Sequence, residues 1–128
     1  MNKSTIRNIY VVDDDIPSFQ LIKELFADQP VRVRHFMDGS DLTGTLEKGE
    51  FPDLFVMDIQ LPDTDGIVLT RKIKAVRPGI PVIAYTSYAM PGDREHFIQS
   101  GCDAYISKPI DVCKFLSIAG EFLPDLDL

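Results

Sequence analysis

Hydrophobic residues in this chain gather into short unbroken runs, and four of the runs end in polar residues suited to phosphate chemistry. Ile9-Tyr10-Val11-Val12 runs into Asp13-Asp14-Asp15, and Leu54-Phe55-Val56-Met57 into Asp58. Val82-Ile83-Ala84-Tyr85 runs into Thr86-Ser87, and Ala104-Tyr105-Ile106-Ser107 into Lys108-Pro109. Apolar runs of this length, without alternation, read as strands buried on both faces of a parallel sheet. They predict strands over Ile6–Val12, Leu54–Asp58, Val82–Thr86 and Ala104–Ser107. A further strand, Val31–Phe36, carries Arg32 and Arg34 at alternate positions, the pattern of an edge strand with one wet side.

Between the strands the period changes to that of helices. Phe19, Ile22 and Phe26, with Leu21 and Leu25, follow Asp15 as a cap and Pro17 in the first turn. Asp38-Gly39-Ser40 reads as turn and cap for a short helix through Leu46, and Gly49 and Pro52 break the chain after it. Ile67, Leu69, Thr70, Ile73 and Val76 form a helical face that stops before Pro78-Gly79. Pro91-Gly92-Asp93 opens a helix to about Ser100, closed by Gly101, and Asp111 caps a last one carrying Val112, Phe115, Leu116, Ile118, Ala119 and Phe122. Strand and helix thus alternate five times, which predicts an α/β fold: a parallel sheet with helices on both faces and right-handed crossovers.

That architecture turns four separate strand ends into one place. In an open parallel sheet the carboxyl ends of the strands line a single crevice, where ligands bind. Three adjacent acids, a fourth acid, a hydroxyl and an ammonium would converge there, a set able to hold a divalent cation and a phosphoryl group. Neighbouring carboxylates about 4 Å apart repel by roughly 4 kcal/mol at an effective dielectric near 20. Asp13-Asp14-Asp15 therefore needs solvent, protons or a cation, and Mg²⁺ commonly sits on one or two carboxylates plus phosphate. Each residue alone also has a plain structural use. The triple acid can be a solvated turn that caps a helix, Asp58 a turn residue, Lys108 a surface charge and Thr86 a strand-end hydroxyl. Pro109 adds that Lys108–Pro109 is a bond with a realistic cis population.

Composition narrows the classes. The 128 residues suit one domain, residues 1–128, with no repeat, linker or room for an output domain after Leu123-Pro124. A net charge of −7 argues against nucleic acid as partner and favours a cation or a basic protein surface. Cys102 and Cys113 make no disulfide framework and read as reduced thiols. No signal peptide opens the chain and no stretch approaches the ~20 apolar residues of a membrane span. The expected compartment is the cytoplasm, without membrane insertion.

Taken in order, these residues resemble the receiver domain of two-component response regulators over nearly the whole chain. The acidic pair after strand one matches Asp13 and Asp14. The phosphoacceptor with its Pro and Asp-Gly loop matches Met57-Asp58-Ile59-Gln60-Leu61-Pro62-Asp63-Thr64-Asp65-Gly66. The switch hydroxyl and its small neighbour match Thr86-Ser87, the switch aromatic Tyr105, and the Lys-Pro pair Lys108-Pro109. The stretch from Ala89 to Ile110 is similar to receivers of hybrid kinases and to small single-domain receivers of the cell-cycle regulator type. The resemblance implies a flavodoxin-like (βα)5 doubly wound sheet of five parallel strands in order 2-1-3-4-5, the order shared by flavodoxin and a chemotaxis receiver. It implies that Asp58 accepts phosphoryl from a phosphohistidine, with Mg²⁺ (or Mn²⁺) on Asp13, Asp14, Asp58 and the Gln60 carbonyl. Lys108 and Thr86 would bind phosphoryl oxygens, and Ser87 would leave room for the group. The implied partners are a sensor histidine kinase or histidine phosphotransferase and a downstream protein target, with the chain a monomer or weak dimer. Asp15 is expected to cap a helix and not to bind metal.

Some residues depart from the family pattern. Tyr85 is large for the position before the switch threonine, and Ala84 beside it is expected to offset the bulk. Gln60 and Tyr88 stand where phosphoryl lifetime is tuned. His35 and His96 are single and scattered and read as packing. Two other readings use the same fold class. Asp13-x-Asp15 imitates the nucleophile motif of haloacid-dehalogenase phosphatases, but Ile16-Pro17 follows where a Thr-containing run is expected and the chain is short. A flavin binder needs a Ser/Thr-rich phosphate loop after strand one, where three aspartates would repel the flavin phosphate. A receiver cut from a hybrid histidine kinase shares every feature of the first reading.

Overall fold

In a computed structural model, which describes residues 5–87 and 90–128, the chain alternates strand and helix throughout. The strands are β1 (Arg7–Val12), β2 (Val31–Phe36), β3 (Leu54–Asp58), β4 (Val82–Thr86) and β5 (Ala104–Ser107). The helices are α1 (Ile16–Leu25), α2 (Gly39–Glu47), α3 (Gly66–Val76), α4 (Asp93–Gln99) and α5 (Val112–Phe122). All pairings are parallel and the order is β2-β1-β3-β4-β5. This is the flavodoxin-like arrangement expected, with β2 at an edge as Arg32 and Arg34 indicated. β1 begins one residue later than expected, because its pairing with β2 starts at Arg7 opposite Val31 and Ile6 is left half-exposed.

Four helices open on an aspartate whose carboxylate accepts a hydrogen bond from a backbone N–H of the first turn. Asp15 receives Ser18 N–H, Asp38 receives Asp41, Asp65 receives Ile67 and Asp111 receives Lys114. Each cap satisfies a donor that the helix leaves without a partner, worth about 1 kcal/mol. Helix α4 starts instead from Gly92 in the left-handed region, at φ 88°, a conformation that costs a residue without a Cβ nothing.

Alternation along the strands sends neighbouring residues to opposite faces of the sheet. Tyr10, Val12, Phe55, Met57, Val82 and Ala84 face α2, α3 and α4, where they meet Leu42, Ile73 and Phe97. Ile9, Val11, Leu54, Val56, Ile83 and Tyr85 face α1 and α5, against Ile22, Phe26 and Phe115. Ala84 therefore cannot make room for Tyr85, since the two lie on opposite sides of the sheet. The Tyr85 ring is taken up by the α1/α5 core, where only 1% of the residue remains exposed.

Candidate functional site

β1, β3, β4 and β5 run parallel, so their carboxyl ends reach one edge together. In register, Val12 lies beside Met57, Asp58 beside Tyr85, and Thr86 beside Ser107. One residue past β1 stands Asp13, fully buried, its own N–H bonded to the Phe36 carbonyl at 2.9 Å. Asp14 follows, exposed to solvent. Asp13, Asp14 and Asp58 each bring a carboxylate oxygen within 4.8 Å of the others. Among the described residues they form the acidic cluster able to hold a metal ion. Hard carboxylate oxygens suit Mg²⁺-like or Mn²⁺-like cations.

Lys108 is the counter-charge. Its backbone N–H bonds the Thr86 carbonyl at 2.8 Å, pinning the start of the β5–α5 connection to the end of β4. Its Nζ donates to Asp13 Oδ2 at 3.0 Å and to Asp58 Oδ2 at 3.3 Å. The peptide between Lys108 and Pro109 is cis. With one ammonium against three carboxylates, the pocket carries net negative charge. Asp58 answers to that field. Burial first, and then Asp13 beside it, push its carboxyl up from 3.8 to about 6. Burial presses Asp13 in the same direction, but the donors on it outweigh burial, Tyr85 first among them, and hold Asp13 below the ordinary range. Lys108 is likewise desolvated, yet the two carboxylates dominate and raise it.

The β3–α3 connection folds back on Asp58. Gln60 N–H donates to Asp58 Oδ1 at 3.0 Å, and Gly66 N–H to the Ile59 carbonyl at 2.8 Å. A Cβ on Gly66 would overlap the Asp58 carbonyl oxygen and stand 2.8 Å from Ile59 Cα, so only glycine fits there. The Gln60 backbone, whose carbonyl is the expected fourth ligand, is thereby fixed beside Asp58.

Thr86 closes β4 with 1% of its surface exposed, and Ser87 after it is exposed. Thr86, Gln60 and Ile59 line a cavity of about 270 Å³ whose far wall is Met90, Asp93 and Phe97 of the α4 region. Tyr105 lies apart from the acids. Its ring meets Phe97 at 5.2 Å, and its hydroxyl is buried without a hydrogen-bond partner among the described residues. Tyr88 falls outside the described residues. Asp15 spends its carboxylate on the Ser18 cap.

The contacts of two residues, Tyr85 and His35, escaped sequence reasoning. The Tyr85 hydroxyl donates to Asp13 Oδ2, the oxygen that also receives Lys108, and Lys108 Nζ sits 4.5 Å from the centre of the Tyr85 ring. His35 Nε2–H donates to the Asp13 carbonyl at 2.7 Å, with Phe19 stacked flat on the imidazole at 4.1 Å. The signal for Tyr85 was present: a large side chain with a polar tip, one residue from a strand end that faces acids. For His35 the signal was its place one residue before the end of an edge strand next to β1.

The molecule can be set beside known proteins at this point. The family model of the response regulator receiver domain matches residues 9–119. The polar-differentiation response regulator DivK of Brucella ovis is 36% identical over 124 residues, which make up 93% of this chain and 98% of that protein. The protein of the same name from Brucella anthropi is 37% identical over 125 residues, with coverage of 93% and 98%. Among solved structures, the CheY-like receiver domain protein of Methanospirillum hungatei aligns with a TM-score of 0.84 at 30% identity, over 94% of this chain and 96% of that one. The BeF3-activated DrrB receiver domain gives the same score and identity, over 94% and 99%. Likeness that runs from the first strand into the last helix, in sequence and in backbone alike, leaves one conclusion: the chain belongs to the response regulator receiver domain family.

Proposed function

We infer that the protein is a phosphorylation-controlled signalling switch whose phosphoacceptor is Asp58. An Asp58 carboxylate oxygen attacks the phosphorus of a partner's phosphohistidine. The new O–P bond forms as the N–P bond breaks, and the imidazole leaves with the electron pair. What supports this most is the position of Asp58: at the mouth of the sheet, 6% exposed, and shared with Asp13 through Lys108. Phosphoryl transfer passes through a loose transition state, so the protein mainly positions groups and neutralises charge.

Asp13, Asp14, Asp58 and the Gln60 carbonyl are the residues that would hold Mg²⁺ (or Mn²⁺), which would offset the repulsion between carboxylate and phosphoryl oxygens. Lys108 pairs with Asp58 before transfer and with a phosphoryl oxygen after it, and Thr86 donates to another. Ser87 leaves space for the group. A hydrogen bond to a charged acceptor is worth about 1.5–3 kcal/mol, whereas a swing from 1:99 to 99:1 needs about 5.5 kcal/mol. Thr86 therefore cannot drive the switch alone, and Lys108, the cation and Tyr105 must contribute. Tyr105 is suited to report the state, because it borders a cavity with Arg94, Lys114, Ile118 and Phe122 on the α4–β5–α5 face. Donors of the phosphoryl group would be a sensor histidine kinase or a histidine phosphotransferase, and the output a phosphorylation-dependent protein contact or onward transfer. The chain is read as one receiver domain acting in the cytoplasm as a monomer or weak dimer. No described helix is long and apolar enough to cross a membrane. A phosphatase acting through Asp13 and Asp15 has less support, because the Asp15 carboxylate is occupied by Ser18.

The test is labelling with a small phosphodonor and Mg²⁺, read as an acid-stable, hydroxylamine-labile mass increase. One phosphoryl per chain is expected, lost in Asp58→Asn. Stoichiometric labelling that survives Asp58→Asn would overturn the assignment.

A further inference from the structure

We propose that Tyr85 is a positioning residue of the acid pocket, a phenol that competes with divalent cation for Asp13 and sets how much cation the site needs. The inference rests on the reading of the pocket as a cation-assisted phosphoacceptor site. An ionised carboxylate offers about four lone-pair sites on two oxygens. In Asp13 three of them are engaged: Oδ1 by Asp15 N–H at 3.0 Å, and Oδ2 by both the Tyr85 hydroxyl and Lys108 Nζ. Asp13 is fully buried, so water does not supply these donors and does not take their place.

The Tyr85 ring fills core among Val11, Val56, Ile83 and Ile106 on the α1/α5 side of the sheet, a volume that phenylalanine would fill without the hydroxyl. What the tyrosine adds is a donor aimed out of that core into the pocket. The same ring lies under the Lys108 ammonium at 4.5 Å, within the range of a cation–π contact. One side chain therefore touches both charges that must rearrange when cation and phosphoryl arrive: it donates to Asp13 and holds Lys108 over its face. Mg²⁺ demands near-ideal octahedral geometry and gives up its waters reluctantly. A carboxylate already satisfied by a fixed phenol gains less from such an ion than a free one.

Two measurements separate this from a buried tyrosine that merely found an acceptor. The first is calorimetric titration of the unphosphorylated protein with Mg²⁺. Tyr85→Phe keeps the ring under Lys108 and removes only the donor, so it is expected to bind Mg²⁺ about tenfold more tightly, or ~1.4 kcal/mol. Tyr10→Phe, which removes a phenol from the opposite face of the sheet, is expected to match the native chain. Equal or weaker affinity in Tyr85→Phe overturns the proposal. The second needs no variant: with ¹³Cζ-labelled tyrosine, the Tyr85 resonance should move along the Mg²⁺ titration as its acceptor is drawn away. A resonance that stays put while Mg²⁺ binds overturns the proposal as well. A native chain that neither binds Mg²⁺ nor takes up phosphoryl at Asp58 would overturn the underlying reading instead, so the two failures are distinguishable.

Discussion

Lys108 leans towards Asp13: its ammonium is 3.0 Å from that carboxylate and 3.3 Å from that of Asp58. Both acids are nearly sealed from solvent, and the lysine side chain itself is only 16% exposed. Removing one member of a buried ionic set leaves the others uncompensated, at a cost of several kcal/mol. Asp58 can relieve part of this by taking a proton. Lys108→Met is therefore expected to lose about 2 kcal/mol of stability at pH 7 in chelator, and Mg²⁺ should restore most of it. Urea melts with and without Mg²⁺ provide the check. Equal stability of Lys108→Met and the native chain in chelator would mean that Lys108 does not neutralise the pair.

The acid pocket should also give the metal-free protein an unusual pH dependence. Asp58 has its folded pKa pushed up from 3.8 to about 6 by burial and by Asp13. Between those values the folded state binds more protons than the unfolded one, so stability falls as pH rises through roughly 4 to 6. One pKa unit is 1.36 kcal/mol, which makes the whole loss about 3 kcal/mol, complete above the folded pKa. Asp13 works the other way. Its pKa is held down, so its contribution is present above the ordinary value and is lost as pH falls through the lower, folded one. Asp58→Asn carries no charge to lose. It should flatten the slope between pH 4 and 6 and be more stable than the native chain at pH 7 in chelator. Denaturation across this range, followed by circular dichroism, measures both effects; a native slope that rises with pH would contradict the assignment of burial as the dominant cause.

Gly66 is a position where backbone meets backbone. A Cβ would collide with the Asp58 carbonyl and crowd Ile59 Cα, neither of which can rotate away. Overpacking of this kind costs about 1–3 kcal/mol, and here it would also displace the Asp58–Gln60 turn. Gly66→Ala is expected to lose stability in that range and to lower the labelling rate of Asp58. At Gly39 the obstruction is a side chain: a Cβ would lie 2.5 Å from Thr64 Cγ2. Gly39→Ala should therefore recover much of its loss when combined with Thr64→Ser, whereas no side-chain change should rescue Gly66→Ala. Thermal melts of the two single variants and the double variant decide this.

These contrasts mark what the chain declares locally and what it does not. Four strands were legible because each is a compact apolar run and β2 because Arg32 and Arg34 alternate with apolar residues, and three helix starts because Asp15, Asp38 and Asp111 stand at them; Asp65, which caps α3, sat unread in a loop. The pocket acids, Thr86 and Lys108 were legible because parallel topology brings strand ends together whatever the side chains. Tyr85 and His35 were read for size and isolation, and missed. Their contacts to Asp13 span 72 and 22 positions, and depend on which face of the sheet a side chain takes. The expectation that Ala84 would make room for Tyr85 failed for that reason: period-two alternation puts the two on opposite faces.

Asp63 shows the same limit, and leads to a prediction about communication within the molecule. From the β3–α3 connection it reaches α2 and accepts the N–H groups of Gly39 at 2.8 Å and Ser40 at 2.9 Å. The bond from Gly39 holds its carboxyl below the ordinary range. The start of α2 thus has two caps, Asp38 from its own chain end and Asp63 from the loop that carries Gln60. Any shift of that loop on phosphorylation must move or release the amides of Gly39 and Ser40. Asp63→Ala should speed amide exchange at these two positions while leaving Asp41, which is capped by Asp38, near its native rate. In the native chain the same two amides should change their exchange rate when a phosphoryl mimic and Mg²⁺ are added, and in Asp63→Ala they should not respond. Native amides indifferent to the mimic would show that the contact is a static brace between loop and helix.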